Sequence, residues 1–151
     1  MTKRKRRVKH LGRIFFVLYI VCAVYFLFFS DFMDRSMVSD EYRYNLRPFF
    51  EIRRFLTNIN LVGRKSLLIN VVGNVVCFMP FGYLLPTITK SKIVKNVFGV
   101  VLLTFLFSLS VETIQLVTKV GAFDVDDLIL NTFGGLLGYI FMRFTIHKYT
   151  V

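Results

Sequence analysis

The sequence predicts an all-α fold, a four-helix transmembrane bundle with both termini in the cytoplasm and an amphipathic interfacial helix in a long external loop. Three observations lead to this prediction. The 151 residues are 55% hydrophobic with a mean hydropathy of +0.59. Four apolar segments recur along the chain, and the polar segments between them alternate between basic and acidic residues. Soluble domains of this size seldom combine these properties.

Each apolar segment, with its flanks, is long enough to cross about 30 Å of hydrocarbon at about 1.5 Å per residue. Bulky residues end the first segment where cleavage of a signal peptide needs small ones, so this segment is predicted to remain as an anchor. Pro80 and Gly82 predict a kink in the second. The predicted membrane domain covers residues 14–146, between a basic segment (1–13) and a tail (147–151), with spans at about 14–30, 67–86, 97–117 and 127–144.

The distribution of charge predicts the orientation. Basic residues without acids precede the first span, separate the second from the third, and follow the fourth. All nine acids lie elsewhere, in the loop 31–66, at Glu112, and in 124–127. By the positive-inside rule both termini face the cytoplasm and the loop 31–66 is external. Since this pattern accounts for the net charge of +11, we predict membrane lipids as partners and no nucleic acid.

The external loop contains one amphipathic helix, for which Pro48 suits the first turn. Apolar residues recur at three- and four-residue spacing while Glu51, Arg53 and Arg54 occupy the other face. Two interpretations stay open: the helix lies at the outer interface and grips a lipid or envelope substrate, or it only caps the bundle. The apolar face consists of Phe49, Ile52, Phe55, Leu56 and Ile59.

Polar residues form a stripe on each of the last three spans. The predicted topology brings the three stripes to the same depth, in the external leaflet, so the sequence predicts a polar pocket there. Glu112 is the central candidate, because an ionisable residue inside a span is by default a functional candidate. The stripes are Asn70 and Asn74; Ser108, Glu112, Gln115 and Lys119; and Asp127 and Asn131.

Several of these residues also have structural interpretations. Asp124 and Asp127 can cap the fourth span, whose helix dipole favours acids. The asparagines can serve as hydrogen bonds between helices, and small residues can allow close helix packing. The predicted packing glycines are Gly73, Gly134, Gly135 and Gly138.

Catalysis stays uncertain from the sequence, with Glu112 and Asp127 as the candidate acid or base. No nucleophile lies beside a base, and His10 and His147 are on the predicted cytoplasmic side. Cys22 and Cys77 lie inside spans without CxxC spacing, so neither a disulfide nor a metal site is expected. We predict no cofactor.

Four motifs in order, "NLRPF", "NVVGNVVCFMPFG", "SVETIQ" and "FDVDDLILNTFGGLLGY", resemble those of VanZ-like membrane proteins. The resemblance covers about residues 45–139 and implies a location in the bacterial cytoplasmic membrane and an association with resistance to the glycopeptide antibiotic teicoplanin. Many relatives have an arginine just ahead of the aspartate motif, where this chain has Gly121 and Ala122. If that arginine neutralises the acids, Lys119 or an external-loop arginine such as Arg47 must take its place here; otherwise Glu112 or Asp127 holds a proton. The matching motif positions are Asn45, Pro48, Phe49, Asn70, Gly73, Asn74, Pro80, Gly82, Glu112, Gln115, Asp124, Asp127, Asn131 and Gly134.

Three functions are consistent with these features. The pocket would bind a lipid-linked cell-wall precursor or a lipoglycopeptide, or form the site of a membrane-embedded enzyme acting on lipid or cell-wall precursors. A small transporter is the third, and a homo-oligomer would supply the path that it needs. The predicted pocket residues are Asn45, Arg47, Asn70, Asn74, Glu112, Gln115, Asp124, Asp127 and Asn131.

Overall fold

A computed structural model describes residues 3–29, 41–57, 68–89 and 91–147. Five α-helices make up most of this structure, together with two three-residue strands and short π- and 3-10 turns. The helices are α1 (Lys3–Phe29), α2 (Phe50–Thr57), α3 (Gly73–Ile88), α4 (Val97–Thr118) and α5 (Val125–His147). The strands are β1 (Arg43–Asn45) and β2 (Ala122–Asp124), the π-helical turn is Leu68–Val72, and the 3-10 turn is Ile93–Lys95.

Four helices are long and apolar enough to cross a membrane, which confirms the predicted all-α, four-span fold. Their limits differ from the predicted ones by a few residues. The second span continues to Ile88 because α3 runs through both Pro80 and Pro86. The fourth begins at Val125, directly after β2. The spans are Lys9–Phe29, Asn70–Ile88, Val97–Thr118 and Val125–Thr145.

Close contact between α3 and α5 forms the centre of the bundle. A Cβ atom at Gly138 would lie 1.9 Å from the carbonyl oxygen of Met79, and one at Gly134 would lie 2.2 Å from that of Val75. From the other side, a Cβ at Gly82 would lie 1.9 Å from the carbonyl oxygen of Gly135. Only glycine permits this backbone approach, as small residues do between membrane helices generally.

The other two spans pack around this pair. Thr104 of α4 contacts Gly135, where a Cβ would meet its side chain at 2.4 Å. On α1, the Tyr19 hydroxyl donates a hydrogen bond of 2.9 Å to the Cys77 carbonyl. The buried side chains form two apolar clusters, one of Ala23, Leu27, Phe78 and Val111 and one of Val94, Val100, Tyr139 and Met142.

The strands β1 and β2 pair in parallel, with Asn45 opposite Asp124. This ladder, which the sequence analysis does not predict, joins the loop after the first span to the start of α5. The amphipathic helix α2 follows it and begins at Phe50, so Pro48 precedes the first turn that it was predicted to occupy. Phe49, between Pro48 and the start of α2, has a φ of 62°, in the left-handed region. Ile59 and the side chains of Phe55 and Leu56 lie outside the described part of the structure.

Candidate functional site

Buried polar side chains collect at the end of the bundle where α3 and α5 begin and α4 ends; we call this the polar end. The spacing of four and three residues on α4 turns its stripe inward, so that Ser108, Glu112 and Gln115 are all at most 2% exposed. Opposite them, α3 and α5 contribute buried residues from their first two turns. The other buried members are Asn74, Asp126 and Asn131.

Asp127 and Asn74 connect α5 to α3. The Asn74 side-chain amide donates to the Asp127 carboxylate at 2.5 Å, and Asn74 is 3% exposed. A buried donor and acceptor left without each other would each lose a hydrogen bond that water cannot replace there. The carboxylate at position 127 therefore fixes the relative position of the two helices at the polar end.

Glu112 and Asp124 connect α4 to the β-ladder. Oε2 of Glu112 accepts a hydrogen bond of 3.0 Å from the backbone N–H of Asp124. The Asp124 carboxylate accepts from the Asn45 side chain at 3.1 Å and from the backbone N–H of Asp126 at 2.8 Å. Asp124 thus accepts one N–H group from the first turn of α5, as a helix cap does, and also anchors β1.

Burial raises the pKa of the Asp124 carboxyl above its ordinary value, and the hydrogen bonds from the Asp126 backbone and the Asn45 side chain oppose this shift. A raised pKa in the folded chain means that folding favours the protonated form. The stability that this shift contributes is therefore complete below the ordinary pKa of an aspartate and is lost as the pH rises through the raised one.

Asp126 is the main residue of the site that the sequence analysis does not identify. It is 1% exposed, and its carboxylate accepts three backbone N–H groups at the start of α2: those of Phe49, of Glu51 at 2.8 Å and of Ile52 at 3.1 Å. A carboxylate from α5 therefore caps α2, 74 to 77 residues earlier in the chain. The run "DVDD" is consistent with this role, but spacing within one segment cannot reveal a partner so distant in sequence.

Two further side-chain amides link the helices of the polar end. The side-chain N–H of Asn131 donates to the Ser108 hydroxyl at 2.9 Å, joining α5 to α4. Gln115 donates to the Leu27 carbonyl at 2.8 Å, joining α4 to α1. Among the described residues, three buried acceptors find no hydrogen-bond partner: Gln115 Oε1, Asn131 Oδ1 and Thr132 Oγ1.

The remaining predicted residues lie around this network. Asn70 lies half-buried in the π-helical turn and hydrogen-bonds none of the side chains named above, and Gly73 begins α3 beside Asn74. Arg47 donates its backbone N–H to the Asn45 side chain at 3.1 Å, while its own side chain is exposed. The Lys119 ammonium lies over the Tyr42 ring, 4.8 Å from its centroid. The Lys119 side chain therefore contacts the residue just before β1.

The hydrogen bonds of the polar end orient neighbouring segments of the chain and hold them together. Both candidate catalytic carboxylates, Glu112 and Asp127, already accept hydrogen bonds from neighbouring groups of the chain. Within the described residues, no three His, Cys, Asp or Glu side chains are grouped in a way that would hold a metal ion. The network connects β1 and α2 to the bundle.

Comparisons with known proteins find the same family that the four sequence motifs resemble. The family model VanZ/LLP1 matches residues 16–146. Protein VanZ of Enterococcus faecium is 30% identical over 130 residues, which cover 86% of this chain and 72% of that protein. No solved structure matches the chain. With four helices long and apolar enough to cross a membrane and a family match over most of its length, this chain belongs to the VanZ/LLP1 family.

Proposed function

We propose that the polar end faces the outside of the cell and, with β1 and α2, binds an amphiphilic envelope molecule, either a lipid-linked cell-wall precursor or a lipoglycopeptide. Binding lowers susceptibility to teicoplanin without any bond being cleaved. The observation that carries this proposal is the buried carboxylate network, which holds an exposed segment of aromatic and arginine residues at the end of the bundle.

The exposed segment has the composition that an amphiphile requires. Tyr42, Tyr44 and Phe49 are each at least 60% exposed, and the side chains of Arg43 and Arg47 are exposed beside them. Aromatic rings at a membrane interface contact acyl chains, while guanidinium groups bind phosphate and carboxylate. A molecule with an apolar part and an anionic part fits both.

The proposed orientation follows from charge. Lys92 and Lys95 lie at the opposite end of the bundle, where the Tyr139 hydroxyl donates to the Lys95 carbonyl at 2.9 Å. No acid lies between α3 and α4. The positive-inside rule puts such a segment in the cytoplasm and the polar end outside.

Binding is favoured over catalysis by the state of the two candidate carboxylates. A general base must lie within hydrogen-bond reach of the proton that it removes. Glu112 holds the Asp124 backbone, and Asp127 holds the Asn74 side chain. Lipid profiling of cells with and without the protein separates the two functions: the binding proposal expects unchanged precursors and head groups, whereas a new or missing species would establish an enzyme.

Exchanging the two carboxylates for amides tests the proposal. Glu112→Gln replaces the carboxyl group that accepts from the Asp124 backbone with an amide, and Asp127→Asn places an amide opposite the amide of Asn74. If the lost hydrogen bond costs the ligand-binding conformation about 1.4 kcal/mol, the affinity for the ligand falls about tenfold. We expect each variant, expressed at the membrane level of the unmodified protein, to lose most of the protection against teicoplanin in a growth-inhibition assay.

Thr113→Ala is the matched control for this test. Thr113 follows Glu112 directly, is exposed, and donates its hydroxyl only to the Leu109 carbonyl of its own helix. This variant should protect as the unmodified protein does. Full protection by both Glu112→Gln and Asp127→Asn would refute the proposed function.

A further inference from the structure

A narrow joint connects β1 and the start of α2 to the polar end. We call residues 42–52, which contain both, the strap. Among the described elements, β1 packs mainly on β2, and α2 packs mainly on α5. Two side chains of the bundle hold the strap by hydrogen bonds: Asp124 accepts from the Asn45 side chain, and Asp126 accepts three backbone N–H groups. A segment attached along one such joint can separate while the spans stay folded.

Docking of the strap holds one residue in a strained conformation. Phe49 has a φ of 62°, in the left-handed region, which a bulky side chain rarely adopts. Its N–H donates to the Asp126 carboxylate, as do those of Glu51 and Ile52. Strain of this kind persists only where the surrounding contacts compensate it. The docked strap is therefore balanced between hydrogen bonds that hold it and strain that opposes them.

Three carboxyl groups meet at the joint, Asp124 and Asp126 on the bundle and Glu51 on the strap. Burial is the main reason why the pKa of the Asp124 carboxyl is raised, and the charges of Asp126 and Glu51 raise it further. Hydrogen bonds from the Asp126 backbone and the Asn45 side chain oppose this shift without reversing it. Separation of the strap removes Glu51 and exposes the Asp124 carboxyl to water. Ionisation of Asp124 therefore opposes docking, and its protonation favours docking.

The other charged groups around the joint leave this sign unchanged. The Arg54 guanidinium lies 3.0 Å from the Glu51 carboxylate, but its side chain is 49% exposed, so water screens much of its charge. Glu112 accepts the backbone N–H of Asp124 at 3.0 Å and adds a further acid on the bundle side. With all the described groups in place, the pKa of Asp124 is raised. The remaining charged side chains on the elements around the joint are those of Arg43, Arg47, Arg53, Lys119 and Asp127.

We propose that the strap is a pH-sensitive device, which docks more tightly when Asp124 binds a proton and separates more often when that proton is lost. The docked state holds the proton on Asp124 more strongly than the separated state does. Docking therefore weakens as the pH rises through the raised pKa, and the gain from the proton is complete below the ordinary pKa of an aspartate. The strap carries the exposed residues of the ligand site proposed above, so its regulatory consequence rests on that function, whereas docking itself needs no ligand.

Bimane fluorescence measures docking directly, because tryptophan quenches this dye only at short range. The chain contains no tryptophan, so Phe123→Trp introduces a single quencher on β2. Bimane is attached at Tyr44→Cys, the register partner of Phe123, in a chain with Cys22→Ser and Cys77→Ser. Tyr44 is 67% exposed, so this position accommodates the dye. The same labelled chain with Phe123 unchanged gives the unquenched signal at each pH.

We expect the unquenched fraction of the purified full chain in detergent micelles to fall at least threefold between about pH 8 and about pH 4.5. Asp124→Asn keeps an acceptor oxygen for Asn45 and carries no charge, so its quenching should be high and equal at both pH values. Glu51→Gln removes the charge on the strap and should reduce the response to pH. Glu41→Gln is the control, since this exposed acid precedes the strap and is not among the groups that shift the pKa of Asp124. Its response should equal that of the chain with Glu41 unchanged.

Quenching that does not change with pH would overturn the proposal. So would an Asp124→Asn variant that keeps the full response, or one that is unquenched at both pH values, because the charge and not the proton would then hold the strap. If Asp124→Asn does not fold, Glu51→Gln decides, and an unreduced response would overturn the proposal. The measurement contains no ligand, so the docking device and protection against teicoplanin can each fail without the other.

Discussion

Asp126→Ala should release the start of α2 from the bundle while leaving the four spans folded. The substitution removes the acceptor of three backbone N–H groups, those of Phe49, Glu51 and Ile52. Loss of a helix cap alone costs about 1–2 kcal/mol. Three lost charge-assisted bonds, partly replaced by water at this exposed segment, justify the upper part of that range. The strain at Phe49, whose φ is 62°, is then no longer compensated.

Amide hydrogen exchange measures this release directly. We expect protection of residues 49–57 to fall about tenfold to thirtyfold, which corresponds to about 1.4–2 kcal/mol, with little change in α3 and α4. Asp126→Asn keeps one acceptor oxygen, so its amide protection should lie between that of the unmodified protein and that of Asp126→Ala. Thr132→Ala is the control, since it removes another buried polar group of α5 that has no hydrogen-bond partner among the described residues. Unchanged protection in Asp126→Ala would show that Asp126 does not hold α2.

Gly138→Ala should destabilise the whole bundle. The added Cβ would lie 1.9 Å from the carbonyl oxygen of Met79, which is backbone and cannot rotate away. Either α5 or α3 must move, and the contacts at Gly134 and Gly82 move with it. Overpacking of this kind costs about 1–3 kcal/mol and occasionally more.

Thermal unfolding of the detergent-solubilised protein tests this prediction. At about 2–4 °C per kcal/mol for a chain of this size, the midpoint should fall by about 5 °C or more. Gly12→Ala carries the same chemical change, but its Cβ would meet a side-chain methyl group of Ile88 at 2.9 Å, which a rotamer change can relieve. It should shift the midpoint much less. Equal midpoints for the two variants would exclude a special role for the close approach at Gly138.

The fold could be predicted from the sequence because its determinants are local. Apolar length identifies each span, and the offsets of four, three and four residues put Ser108, Glu112 and Gln115 on one face of a helix. A short connection joins the end of α4 to the start of α5, so residues close to this connection lie at the same end of the bundle. Glu112 and Asp127 could therefore be assigned to one end without coordinates.

The connections within the polar end could not be predicted, because they join segments that are distant in sequence. Nothing near Asp126 indicates that its carboxylate caps α2, and three-residue strands such as Arg43–Asn45 have no detectable periodicity. The role of Asp124 was open between a cap and a pocket ligand, and the structure shows it accepting from both the Asp126 backbone and the Asn45 side chain.

Cross-linking in intact cells tests most directly the proposal that β1 and the start of α2 are docked on a polar end that faces outward. Tyr44 and Phe123 are register partners in the β-ladder, and paired positions in adjacent strands lie within the Cα separation that short cross-links need. In a chain with Cys22→Ser and Cys77→Ser, we predict that Tyr44→Cys and Phe123→Cys are joined by a short, membrane-impermeant thiol cross-linker, as seen by mass spectrometry of the linked peptides. Tyr44→Cys paired with Lys92→Cys, at the opposite end, should remain unlinked. Labelling of Tyr44→Cys without any link to Phe123→Cys would contradict the docking, and failure of the reagent to label either residue from outside would contradict the orientation.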